Sequence, residues 1–207
     1  MRSIEAIMRT SPVIPVLVIE ELGHAKPIAE ALVAGGLRVL EVTLRTPCAL
    51  EALQEMKQVE GAIVGAGTVL NGPDLRAAID AGAEFIVSPG LTEPLGKAAV
   101  DSGIPFLPGI ANSGDIMRGL DLGLRHFKFF PAMASGGLPA LKALAGPFGQ
   151  VHFCPTGGIT PQTAPEWLGF DPVLCVGGSW LVGKGHPNLA EILANAQAAA
   201  ALRQQTS

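Results

Sequence analysis

One pattern is repeated along this chain: a short, continuous apolar run, then a stretch with helical periodicity. The runs are Val13–Val18, Val39–Thr43, Ala62–Ala66, Phe85–Ser88, Pro105–Pro108, Arg125–Pro131, His152–Pro155 and Val173–Val176. Runs this short, with little polar alternation, are the mark of strands buried on both faces, as in a parallel sheet. The helical stretches are Glu21–Ala34, Pro47–Val59 with Thr46 as N-cap, Pro73–Ala81, Glu93–Ser102, Ser113–Leu122, Leu138–Leu144, Pro161–Leu168 and Asn188–Leu202. Eight such units, recurring roughly every 20 to 26 residues, predict an α/β chain folded as a single-domain (β/α)8 TIM barrel over residues 1–207. A further helix, Met1–Arg9, carries Ile4, Ile7 and Met8 on one side and is expected to cover one end of the barrel. Arg203–Ser207 is expected to fray. An open doubly wound sheet would place a glycine loop after the first strand, where this chain has Ile19, Glu20, Glu21 and Leu22.

Composition narrows the partners. Only 15% of the 207 residues are charged and the net charge is -4, which leaves no electrostatic footprint for nucleic acid or an anionic membrane. Cys48, Cys154 and Cys175 have no CxxC or metal-ligand spacing, which fits a reducing compartment. The apolar run at Val13–Ile19 contains Pro15 and is followed at once by Glu20 and Glu21, so it reads as a buried strand and not as a signal peptide. The expected setting is the cytoplasm, with no membrane span, and the expected partner is a small metabolite.

The sixth run contains the chain's most unusual residue. Strand alternation turns Phe127 and Phe129 to one face and Lys128 and Phe130 to the other, so if the first face packs under helices the lysine points inward. Such a lysine is either structural, its amine reaching solvent or a carboxylate, or a nucleophile. The second role needs an uncharged amine, and an ordinary lysine is neutral in well under about 0.1% of molecules at pH 7, so the surroundings must favour the neutral form.

In a barrel of this type the chemistry lies at the carboxyl ends of the strands. That rule selects Glu41, Thr43 and Arg45 after the second strand, Gly65–Thr68 after the third, Ser88–Gly90 after the fourth and Pro108–Ile110 after the fifth. It also selects Thr156, Gly157 and Gly158 after the seventh, and Gly177, Gly178 and Ser179 after the eighth. The late glycines either make tight turns or let backbone N–H groups close on a phosphate, with the Ser179 hydroxyl adding a donor. Glu41 and Arg45 either pair across the mouth or divide the work of proton transfer and carboxylate binding. With Lys128 they describe a site for a phosphorylated 2-oxo acid. Gly178–Lys184 begins like a P-loop, but Gly185 stands where Ser or Thr is required, so that match is rejected. His126 and His152 have inward parity and raise a rival metal-dependent reading; single histidines on neighbouring strands are more often packed at the barrel floor.

Six motifs then carry a resemblance. Glu41-Val-Thr-Leu-Arg-Thr, Gly65-Ala-Gly-Thr-Val, Val87-Ser-Pro-Gly, Phe127-Lys-Phe-Phe-Pro-Ala, Cys154-Pro-Thr-Gly-Gly-Ile and Cys175-Val-Gly-Gly-Ser-Trp-Leu stand in the order found in the 2-keto-3-deoxy-6-phosphogluconate (KDPG) and 4-hydroxy-2-oxoglutarate aldolase family, which the chain resembles over nearly its whole length. The resemblance implies a metal-free, cofactor-free class I aldolase of the Entner–Doudoroff pathway. It would split 2-dehydro-3-deoxy-6-phosphogluconate into pyruvate and D-glyceraldehyde 3-phosphate and also act on 4-hydroxy-2-oxoglutarate; the galactonate-specific aldolase is the alternative. It places the Schiff base on Lys128 and proton transfer on Glu41. Arg45 and Thr68 would meet the carboxylate, Pro89 and Phe130 line the pocket, Thr156 contact hydroxyls, and Gly157, Gly158, Gly178 and Ser179 hold phosphate. The family also implies a homotrimer. Ala111–Gly114 and Gly183–Asn188 match no pattern.

Overall fold

A computed structural model describes residues 2–183 and 185–202. Met1, Lys184 and residues 203–207 lie outside it, and with them the start of the expected first helix, the lysine of the P-loop-like segment and the expected frayed end. The chain alternates strand and helix as its apolar pattern requires: α1 Ile4–Met8, β1 Val13–Leu17, α2 Ala25–Ala34, β2 Val39–Thr43, α3 Ala49–Lys57, β3 Ile63–Gly67, α4 Gly72–Asp80, β4 Ile86–Val87 and α5 Glu93–Ser102. Then come β5 Phe106–Leu107, β6 Gly109–Ile110, α6 Ser113–Asp121, β7 His126–Phe129, α7 Gly137–Ala145, β8 His152–Phe153, α8 Ala164–Leu168, β9 Val176–Gly178 and α9 Leu189–Ala200. All strand pairs are parallel. They form two ladders, β5-β4-β3-β2-β1-β9 and β6-β7-β8, and single bridges at Phe153–Val173 and Thr156–Gly177 link β8 to the β9 segment.

Several boundaries differ from expectation, each for a local reason. The fifth strand is cut in two at Pro108, which has no N–H to give to a ladder, although its carbonyl still accepts from Lys128 N at 2.8 Å. Thr46 is not the cap of α3: its hydroxyl donates to Ile19 O at 2.6 Å, tying the start of that helix to the segment after β1, and Cys48 takes the cap position with its thiol turned to Ile19 O at 3.3 Å and no capping bond to the helix. The helix expected from Glu21 opens as a 3-10 turn, Leu22–His24, before α2. The one expected from Pro161 begins at Ala164. The eighth strand lies slightly later than expected, where β9 pairs with β1. The loop Ala111–Gly114, which matched no pattern, is a helix start. Asn112 Oδ1 accepts from Asp115 N at 3.0 Å, and Asp115 Oδ2 accepts from Ala111 N at 3.0 Å. Asn71 and Asp74 repeat the device at α4.

Strand parity sorts the core into two clusters. Outward residues such as Leu40, Val42, Val64, Phe127 and Phe129 pack under the helices. Inward residues, among them Ile14, Val39, Ile63, Phe85, Val87, Leu107, Cys154 and Cys175, form a separate cluster with Ile7 and Met8 of α1. Ile7 and Met8 of the first helix are thus buried in the inward cluster. The inward polar residues Glu41, Lys128 and Thr156 are buried and lie nearer the carboxyl ends of the strands.

Candidate active site

Glu41 is the central residue of β2, and its neighbours Leu40 and Val42 bury the opposite face, so its carboxylate is carried inward. Lys128 reaches the same point from β7. Its Nζ lies 3.1 Å from Glu41 Oε1 and 3.4 Å from Oε2, with Lys128 6% and Glu41 3% exposed. The Phe130 ring, two residues along, has its centroid 5.4 Å from the amine. An ion pair of this kind is what a structural lysine would also make; what sets this one apart is its place, near the carboxyl ends of the strands. An amine and a carboxylate within hydrogen-bonding reach can exchange a proton, and both are held by rigid strands.

Of the two arrangements open to Glu41 and Arg45, a pair across the mouth is not the one that forms. Arg45 stands one turn beyond β2, exposed, and its Nε donates to Thr68 Oγ1 at 3.2 Å. Thr68 adopts φ 59°, a left-handed conformation rare for a residue with a branched Cβ, just past the end of β3. Arg45 and Thr68 thus form a second unit at the same mouth, and the guanidinium's remaining N–H groups are donors suited to a carboxylate. Pro89 is exposed beyond β4, and its carbonyl packs so closely on Gly109 that a Cβ there would lie 2.1 Å away; Gly109 is the ladder partner of Lys128.

The late strands supply the rest. Thr156 is buried, its Oγ1 directed at Cys154 O at 3.4 Å, and it bridges to Gly177, where a Cβ would sit 2.2 Å from that oxygen. Gly157 and Gly158 have φ 108° and 76°, conformations natural to glycine. Gly157 packs on Pro131 and Phe130. Gly178 ends β9 beneath the Trp180 ring, and Ser179 is exposed beside it. Ser179 borders a cavity of about 320 Å³ whose rim includes Glu20, His24, Gly185 and His186, with the two imidazoles edge to face at 5.1 Å. Part of the unmatched Gly183–Asn188 segment therefore lines this cavity, and Asn188 caps α9.

His126 and His152 do come together, but at the foot of β7 and β8, stacked 5.5 Å apart. His126 Nε2 faces Glu5 of α1 at 3.7 Å, too long for a hydrogen bond, and neither it nor His152 Nδ1 has a hydrogen-bond partner. Burial, reinforced by the neighbouring His152, lowers the His126 pKa below its ordinary 6.5, against the pull of Glu5. Among the described residues no group of three or more His, Cys, Asp or Glu side chains is placed to hold a metal ion. Sequence reasoning selected Gly67 with its neighbours at the end of the third strand but gave it no role; it lies against Glu41.

The family model for KDPG and KHG aldolases matches residues 4–195. The chain belongs to that family. It is 63% identical over 204 residues to the 2-dehydro-3-deoxy-phosphogluconate aldolase of Zymomonas mobilis, covering 99% of this chain and 98% of that one. The crystal structure of the Zymomonas mobilis enzyme with 3-phosphoglycerate superposes with a TM-score of 0.96 over 98% of this chain and 97% of that chain, at 63% identity. The KDPG aldolase of Legionella pneumophila, with pyruvate captured as a covalent carbinolamine intermediate, superposes with a TM-score of 0.87 at 46% identity, over 100% of this chain and 98% of that one. No helix among the described residues is long and apolar enough to cross a membrane.

Proposed function

We propose that this chain is a class I aldolase that cleaves 2-dehydro-3-deoxy-6-phosphogluconate to pyruvate and D-glyceraldehyde 3-phosphate in the Entner–Doudoroff pathway. Lys128 is the imine-forming amine and Glu41 the proton-transferring carboxylate. The observation that carries this assignment is the buried 3.1 Å contact between the two, in a chain of this family. The amine gives a proton to Glu41 and adds to the C2 ketone, and Glu41 returns that proton to the carbinolamine hydroxyl as it leaves as water, giving the protonated imine and a carboxylate once more. Glu41 then takes the proton of the C4 hydroxyl as the C3–C4 bond breaks, releasing the aldehyde and leaving an enamine on Lys128. Protonation of the enamine at C3 and hydrolysis of the imine return pyruvate and the free amine.

Arg45 and Thr68 take the carboxylate, Pro89 and Phe130 wall the pyruvyl group, and Thr156 meets the hydroxyls. Gly157, Gly158, Gly178 and Ser179 receive the phosphate. The left-handed turns of the two Thr156-linked glycines and the cavity beside Ser179 support that placement. The same pyruvyl half-site serves 4-hydroxy-2-oxoglutarate, releasing glyoxylate. The enzyme works without metal or cofactor, in the cytoplasm, as one domain over residues 1–207 and as a homotrimer. Its two ladders join as one eight-stranded barrel in which β5 and β6 are halves of a single strand, with α1 as an added floor.

The test is borohydride reduction in the presence of pyruvate followed by peptide mass spectrometry. One adduct, on Lys128, is expected; an adduct elsewhere or none at all overturns the assignment. Cleavage rates on the gluconate and galactonate substrates decide between the epimers, and a faster galactonate reaction would move the chain to the alternative aldolase.

A further inference from the structure

Gly67 ends β3, pairs in the ladder with Thr43, and accepts a hydrogen bond from Leu44 N at 2.8 Å. A Cβ built on it lies 2.1 Å from Glu41 Oε1, 2.6 Å from Cγ and 2.7 Å from Cδ. Unbonded carbon atoms settle at about 3.5 to 4.0 Å, so the outer half of the Glu41 side chain occupies the space that any other residue at 67 would claim. Glu41 has little room to yield, being 3% exposed and held on Lys128 through both carboxylate oxygens. Gly67 is not among the residues with positive φ, so its backbone is compatible with alanine and the requirement there is for space alone. Its neighbour Gly65 has a different occupant: a Cβ there would strike the Phe85 ring at 2.5 Å, a packing residue of the inner cluster.

We propose that Gly67 is a positioning residue that leaves the Glu41 carboxylate its place against the Lys128 amine. The proposal rests on the roles given above to Lys128 and Glu41. Any larger side chain at 67 displaces the carboxylate while leaving Lys128 on its strand.

Two measurements on the full chain test it. The first is exchange of pyruvate methyl protons with D2O, followed by NMR, which reads proton transfer on the bound enamine. Gly67→Ala is expected to slow exchange about 10- to 100-fold, since an ångström of misplacement costs on that order. In a Glu41→Asp background, where the carboxylate is one methylene shorter, adding Gly67→Ala is expected to cost less than about threefold, because the two positions are coupled. Equal losses in both backgrounds, or a Gly67→Ala enzyme within about twofold of the parent, would overturn the proposal.

The second measurement is the urea midpoint, which holds even for poorly active variants. Glu41→Ala removes the atoms that collide, so Glu41→Ala/Gly67→Ala is expected to unfold at the midpoint of Glu41→Ala alone. If the double variant instead drops as far as Gly67→Ala drops from the parent, the glycine is needed for something other than Glu41. Failure of the underlying reading looks different: Glu41→Gln would exchange as fast as the parent, while the urea cycle would still report the contact.

Discussion

Glu41 has both carboxylate oxygens turned toward one amine, and a glutamine in its place would keep the shape while removing the charge. Glu41→Gln should therefore still form the imine with pyruvate but slow cleavage by about 10²- to 10⁴-fold, the usual worth of a placed general base. Single-turnover kinetics would check this, and unaltered turnover would assign the base elsewhere. At the opposite end of β7, His126 is expected to make stability depend on pH. Its native pKa is lowered, chiefly by burial, so below about 6.5 the unfolded chain binds the proton more readily than the native one. Stability is fully present above that value and is lost as the pH falls through the native pKa. The groups around it are His152, Glu5 and Arg9. Urea unfolding of the parent should weaken between pH 7.5 and 5.5, and in His126→Gln the slope should be shallower; parallel curves would assign the dependence to other groups.

The elements explain why so much was legible and where it stopped. The strands are largely buried on both faces, so they left short, mainly apolar runs in the sequence, and inward parity was enough to bring Lys128 and Glu41 to the same space. Boundaries were lost where a single group was diverted. Pro108 cuts a ladder, the Thr46 hydroxyl serves Ile19 O and not its own helix, and Asn112 caps with Asp115 where the familiar pattern has glutamate or glutamine. The task of Gly67 was illegible because it is defined only by a side chain on the neighbouring strand. The one apolar side of α1 suggested a covering role, and Ile7, at 1% exposure, is the place to test it. Ile7→Ala should cost about 2 to 5 kcal/mol, read from urea midpoints at pH 7.5, because the inner cluster cannot refill that volume from the strands. A loss below about 1 kcal/mol would mean that the helix merely rests on the surface.

For the molecule as a whole, the two core clusters divide the labour: the outer one binds helices to strands, and the inner one gathers the inward side chains with Ile7 and Met8 of α1. Several large apolar side chains nonetheless remain exposed, including Leu70, Val100 and Met117. Sedimentation equilibrium at micromolar concentration is expected to give three times the mass of the 21.3 kDa chain, and a monomer would remove the proposed assembly.

The sequence has two tryptophans, and they are unequally placed. Trp167 is 2% exposed, whereas Trp180 is half-buried, lies over Gly178 and directly follows Ser179, whose hydroxyl is a proposed phosphate donor. Anything that docks at that hydroxyl changes the polarity around one indole and not the other. Titration with the proposed product D-glyceraldehyde 3-phosphate should therefore shift emission in the parent, and Trp180→Phe should be optically silent while the ligand still binds by calorimetry. The molecule would then carry a built-in gauge of its own occupancy, needing no dye and no coupled assay.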